Sequence, residues 1–263
     1  MASEPRTVVI TGASKGIGKA AAAAFSHAGD RVYNLSRHDP SDPNAAFVPC
    51  DVTDEAQCKE AIETVLSEAG CIDVLILNAG FGISGPVETT AIEAAQKQFD
   101  VALFGAIRVL KPALPALRKT KGMILFTSSV AGVTPIPYQA FYSAAKAGIN
   151  SLVMALRNEL LGTGIRVAAV LPGDVKTDFT AAREKNEANV ALYPNEVRSV
   201  QKMEHDEQHG MPPERIANRF LKLSRQRNPK PFCSVGFAYS LVCVLVKLLP
   251  ARLANLVLGK LYA

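Results

Sequence analysis

Short apolar runs and helical stretches alternate without a break to about residue 171, and this alternation constrains the fold more than any single motif. "TVVITGASKGIG" is a β-branched run ending in a glycine turn, and the alanine-rich "KAAAAAFSHAG" after it is a helix stopped by Gly29. "RVYNLSR" and "AAFVPCDV" read as strands, and "TDEAQCKEAIETVLSEAG" as a helix capped by Thr53 or Asp54. "DVLILNAG" is a continuous apolar strand of the kind buried on both faces. A helix from about Ile92, the strand "GMILFTSS", a helix through "YSAAKAGINSLVMALRNELL" and the strand "IRVAAVLPG" continue the rhythm. Strict alternation predicts an α/β fold, a Rossmann-type doubly wound parallel sheet flanked by helices, in a single domain over residues 1–263.

With 48% hydrophobic and 20% charged residues the chain carries enough apolar material for an ordinary core. Its five cysteines form no CxxC pair and no regular spacing with the four histidines, which argues against a zinc site or a disulfide framework and favours a reducing, cytoplasmic setting. The N-terminus "MASEPRTVVITG" does not read as a secretory signal. The net charge of +5 is uneven: from Glu214 onward nine Lys/Arg face one acid, a net of about +8, leaving roughly −3 for the first 213 residues. Basic residues without interleaved aromatics give no case for nucleic acid.

Two regions leave the rhythm. Residues 174–213 are polar, weakly patterned and follow the carboxyl end of a strand, where open α/β sheets bind ligands, so they are expected to form a substrate lid. Residues 230–263 form an apolar tail with no charge between Lys230 and Lys247, too short a run to span a bilayer. Arg215, Arg219 and Lys222, on one helical face before that tail, suggest peripheral contact with an anionic membrane surface; the alternative is a solvent-facing helix with the tail packed beneath it or against a second subunit.

The chemistry gathers in four places. Gly12, Gly16 and Gly18 stand as G-x-x-x-G-x-G between the first strand and its helix, where glycines let backbone approach a pyrophosphate and the helix N-terminus receives it. The second strand ends in Ser36 and Arg37 where an NAD site usually carries an acid; Arg37, with Lys15 in the glycine loop, suits a 2′-phosphate, so NADP(H) is expected, with Asp39 a weaker competitor. Tyr142 and Lys146, four apart, share a helix face. Ser129 stands thirteen residues before Tyr142, next to Ser128, and a strand points such neighbours to opposite faces.

"TGASKGIG", "CDVTD", "LNAG", "SSVAG", "YSAAK" and "LPGDVKT", in order over residues 6–177, resemble the short-chain dehydrogenases/reductases. The resemblance implies seven strands and a homodimer or homotetramer through the fourth and fifth helices. It makes Tyr142 the proton donor, Lys146 the group that lowers its pKa and binds the nicotinamide ribose, and Ser129 the partner of the substrate oxygen. It gives the cofactor Ser14, Ile17 and the glycine loop, and Asp51 and Val52 at the adenine. Asn78, Ala79 and Gly80 would support it, with Pro172, Gly173, Val175 and Thr177 at the nicotinamide end; no metal is needed.

One position departs from the family pattern: "KQFDVALFGAIRV" has Ala102 where an asparagine normally holds a relay water. This suggests a relay re-routed through another water, slow turnover, an engineered substitution, or a protein that kept cofactor binding and lost catalysis. The tail and "NAGFGISGPVE" are similar to the branch containing 17β-hydroxysteroid dehydrogenase type 1-like enzymes and acyl-dihydroxyacetone phosphate reductases. With Phe81, Ile83, Val133, Ile136, Pro137 and Tyr138 expected near the nicotinamide, the implied substrate is a hydrophobic ketone or alcohol, a steroid ahead of an acyl-lipid ketone.

Overall fold

The computed structural model describes residues 5–186 and 191–262. The β-branched run forms β1 (Thr7–Thr11), buried at every position. Gly12 turns the chain at φ +68°, a conformation open to glycine, into α1 (Gly16–His27). Then follow β2 (Arg31–Ser36), β3 (Ala46–Pro49) and α2 (Glu55–Ala69). Of the two expected caps for α2 it is Asp54 that serves, its side chain accepting from the amides of Ala56 and Gln57 at 2.9 and 3.1 Å.

The second half runs β4 (Val74–Leu77), the short β5 (Ile83–Ser84), α3 (Ile92–Phe99), a π-helical turn (Asp100–Phe104), α4 (Gly105–Thr120), β6 (Met123–Thr127), α5 (Ala140–Glu159) and β7 (Arg166–Leu171). After it come β8 (Glu184–Lys185), α6 (Glu196–Gln208), α7 (Pro213–Ser224), β9 (Phe232–Ser234), α8 (Phe237–Leu248) and α9 (Ala251–Tyr262). The main sheet has the order β3-β2-β1-β4-β6-β7-β9, every neighbouring pair parallel. β1 to β3 step one way and β4 onward the other, so a crevice opens at the carboxyl ends of β1 and β4, where such sheets bind ligands.

Successive strand residues feed opposite faces. Val9, Leu75, Ile124 and Val167 pack toward α2, α4 and α5, while Val8, Ile10, Val74, Ile76 and Met123 pack toward α1 and α7. The alanine run of α1 leaves Ala21 and Ala22 fully buried, and Phe25 and Phe220 complete that layer.

Both irregular regions hold more regular structure than their sequences suggest. "FCS" in the apolar tail is β9, the seventh strand, paired with β7 from Ala169↔Phe232 to Leu171↔Ser234. The polar segment 174–213 contains α6, and its β8 pairs with β5; residues 187–190 of that expected lid lie outside the described residues.

Phe220 is wholly enclosed between α7 and α1. Phe220→Ala should lower the unfolding free energy by about 3–5 kcal/mol in urea titrations; a loss under about 1 kcal/mol would contradict this packing.

Candidate active site

The crevice is a cleft of about 1460 Å³, and the expected catalytic residues Ser129, Tyr142 and Lys146 line it together with every expected cofactor-binding residue except Gly18. Gly18 lies beneath: a Cβ there would collide with the Gly12 carbonyl and sit 2.7 Å from the Asn78 side-chain nitrogen, so only glycine lets the helix start this close to the sheet. The Asn78 backbone amide donates to Thr11 Oγ1 at 2.8 Å, and its side-chain nitrogen donates to the carbonyls of Thr11 and Gly12 at 3.2 Å each. Thr127 Oγ1 in turn donates to Asn78 Oδ1 at 3.0 Å, so one side chain ties the ends of β1, β4 and β6 together.

The dinucleotide side suits a phosphate-rich ligand. Lys15 caps α1 without a side-chain hydrogen bond and no acid lies in the first turn, so the uncapped N–H groups and the positive end of the helix dipole suit an anion. Across the cleft Thr177 approaches the loop, 3.4 Å from where a Gly16 Cβ would stand. Ser14 Oγ donates to Ser36 Oγ at 2.7 Å, fixing the loop to the end of β2, and Arg37 is exposed beside it. Asp39 is turned into its own loop, accepting from the Ser41 amide at 2.8 Å, and does not line the cleft. At Asp51, burial alone would raise the pKa, but hydrogen bonds from Thr53 and the charge of Arg37 outweigh it and hold the carboxyl below its ordinary value.

At the other end the two serines separate. Ser128 is buried and structural, its hydroxyl donating to Asn150 Oδ1 at 2.7 Å, whereas Ser129 is partly exposed on the cleft wall at the start of a short 3-10 turn. Lys146 is 5% exposed, and its ammonium donates to the Thr127 carbonyl at 2.9 Å. Burial lowers its pKa to about 8.

Tyr142 lies one turn before, its ring centroid 5.7 Å from the Lys146 ammonium. Part of the residue opens on the cleft, yet desolvation pushes its pKa up to about 12, and a hydrogen bond with the Ser129 side chain opposes the rise. The expectation that Lys146 depresses the phenol is corrected in this arrangement: the ammonium is directed at Thr127, and burial dominates both groups.

Several expectations about the pocket wall are also corrected. Phe81 and Ile136 line the cleft; Ile83 is buried in β5 opposite Glu184, Val133 faces a second cavity, and Pro137 and Tyr138 stay outside. Two wall residues escaped sequence reasoning because long connections deliver them. Phe179 meets the Tyr142 ring edge-on at 5.8 Å, and Tyr239 of α8 donates to Asp174 at 2.7 Å while its ring covers Gly173.

Ala102 is buried in the π-helical turn, a distortion frequent at functional sites. One turn earlier Gln98 is fully buried, with no hydrogen-bond partner for either amide atom among the described residues. No sequence pattern marked it.

The Lys146 value gives a signed pH dependence. Between about 8 folded and 10.5 unfolded, the folded chain binds fewer protons, so stability rises with pH through that window. Below about pH 8 the folded state bears the full cost of the buried ammonium. The stability of the protein relative to Lys146→Met should therefore increase by about 2–3 kcal/mol from pH 7 to pH 10 in urea titrations; parallel pH profiles would contradict it.

The short chain dehydrogenase family pattern matches residues 6–188. A 3-ketodihydrosphingosine reductase from Bacteroides thetaiotaomicron is 37% identical, covering 89% of this chain and 88% of its own. Human retinol dehydrogenase 8 is 30% identical over 90% of this chain and 75% of its own. The crystal structure of a short-chain dehydrogenase from Streptomyces avermitilis superposes with a TM-score of 0.84, at 27% identity over 91% of this chain and 92% of that one. The chain therefore belongs to the short chain dehydrogenase family.

Proposed function

We propose that the protein is an NADPH-dependent reductase of a long, hydrophobic ketone, with Tyr142 as proton donor. Family membership makes the chain an oxidoreductase of CH–OH and keto groups. The observation that carries the cofactor reading is the pairing of Lys15 and Arg37 on the cleft wall with Asp39 turned away. NADPH, when bound, supplies the hydride.

The chain's own residues do the rest. Ser129 holds the substrate oxygen and Tyr142 gives it a proton, a phenol near pKa 12 being fully protonated at neutral pH. Lys146 steadies the ribose and feeds the relay, since a lysine near pKa 8 exchanges protons readily around neutrality. Gly12, Ser14, Gly16 and Ile17 receive the pyrophosphate, with Gly18 beneath them letting α1 start close to the sheet; Asp51 and Val52 flank the adenine; Asn78, Ala79 and Gly80 support the cofactor. Pro172, Gly173, Val175 and Thr177 flank the nicotinamide.

The wall beyond Tyr142 is built largely from Phe81, Ile92, Phe99, Ile136, Phe141 and Phe179, which suits an aliphatic or isoprenoid body. The 3-ketodihydrosphingosine reductase among the relatives favours an open-chain lipid ketone over the steroid that the tail resemblance put first, and the retinol dehydrogenase fits a long apolar substrate body. The segment 174–213 acts as the lid, held to itself by the Arg183–Glu207 ion pair and by Thr180 on Glu207 at 2.7 Å, and joined to the body where β8 pairs with β5. We place the enzyme in the cytoplasm as a homodimer or homotetramer through α4 and α5, in peripheral contact with membrane.

Arg37→Asp should lower affinity for NADPH at least tenfold while leaving NADH within about threefold, measured by cofactor fluorescence. Equal losses for both would contradict the phosphate role. NADPH oxidation with 3-ketosphinganine, acyl-dihydroxyacetone phosphate and keto-steroids should be fastest with an open-chain lipid; a preference for steroids would reverse the substrate order.

Ala102 favours a second reading, an NADP-binding protein with impaired turnover. Ala102→Asn should then raise kcat severalfold with little change in cofactor affinity; an unchanged kcat would count against it.

A further inference from the structure

We infer that the outer face of α8 and α9 docks on an anionic phospholipid bilayer, so that the cleft opens beside the lipid. The inference deepens the lipid-ketone reading by giving such a substrate its route of entry. Sixteen large apolar side chains stand exposed among the described residues, and nine belong to these two 12-residue helices. α8 buries none of its residues. Phe237, Leu241, Leu245 and Leu248 follow one face of it at helical spacing, Phe237 86% and Leu248 75% exposed, and Leu253, Leu256 and Val257 stand exposed on α9.

The opposite side of the same helices is cleft wall, through Tyr239, Val242 and Leu258, and the Tyr239–Asp174 hydrogen bond ties α8 to the rim. A 12-residue helix is about 18 Å long, short of the ~30 Å hydrocarbon layer. No helix among the described residues is long and apolar enough to cross a membrane. These helices therefore suit the interface plane.

The charge selects the partner. No Asp or Glu follows Glu214, while Lys247, Arg252 and Lys260 lie on the helices themselves. Arg219, Lys230 and Lys247 also ring a second cavity of about 380 Å³ at the edge of α8, with the hydroxyls of Ser234 and Ser240, a setting for a lipid phosphate. A second copy of the chain on this face would set cations against cations with no acid in the segment to neutralise them. Anionic lipid complements the apolar stripe and the charge together.

The test is sedimentation of the purified full chain with phosphatidylcholine vesicles, with and without phosphatidylglycerol, beside the variant Phe237→Glu/Leu245→Glu/Leu248→Glu. These exposed positions lie off the cleft, and unchanged NADPH affinity would show the variant folded. The protein should bind vesicles containing phosphatidylglycerol, and the variant should partition to them roughly tenfold less. It should also lose turnover of a vesicle-borne ketone while keeping turnover of a short, soluble one. Equal partition of protein and variant, or no binding by either, would overturn the inference, as would a dimer that the variant dissolves. Binding is measured without substrate, so vesicle binding with no lipid turnover would count against the substrate reading alone.

Discussion

The site depends on a separation that must be held open and yet kept narrow. β1 and β4 are neighbours whose following helices leave on opposite faces, so nothing from the helices fills the gap at their carboxyl ends. Asn78 secures that gap with its main chain and side chain at once, reaching Thr11, Gly12 and Thr127. The same residue holds the glycine loop against the sheet and fixes the end of β6, from which Ser129 follows and whose Thr127 carbonyl receives the Lys146 ammonium. A loosened Asn78 would disturb both ends of the cleft together.

Around that frame, burial and charge act in opposite senses at the two ends. On the dinucleotide side the cations are exposed and screened, suited to meeting a charged ligand from solvent. On the hydride side Lys146 and Tyr142 are desolvated, which drives both toward their neutral forms and brings the lysine near neutrality. One end of the cleft thus suits ionic recognition and the other proton exchange, a difference set by how deeply the charged groups are buried.

What was legible in the sequence was local. Continuous apolar, β-branched runs marked the strands, the glycines marked the turn into α1, and the four-residue interval of Tyr142 and Lys146 followed from helix geometry. The rest needed tertiary contacts. "FCS" lacks the length of a strand and becomes one because β7 has a free edge. Phe179 enters the wall from the irregular segment after β7 and Tyr239 from α8, and no periodicity encodes where either is delivered. Ser128 and Ser129 are alike in sequence, and the 3-10 turn after them turns one outward and leaves the other on Asn150. The exposed apolar face of α8 was hidden in the sequence by a largely apolar composition, since its inner face is apolar too.

The central claim is that Tyr142 protonates a ketone reduced by NADPH. The most direct test compares kcat on an open-chain lipid ketone and the Kd for NADPH between the protein and Tyr142→Phe. The account predicts a fall in kcat of at least a hundredfold with Kd within about threefold. Undiminished turnover by Tyr142→Phe would contradict it.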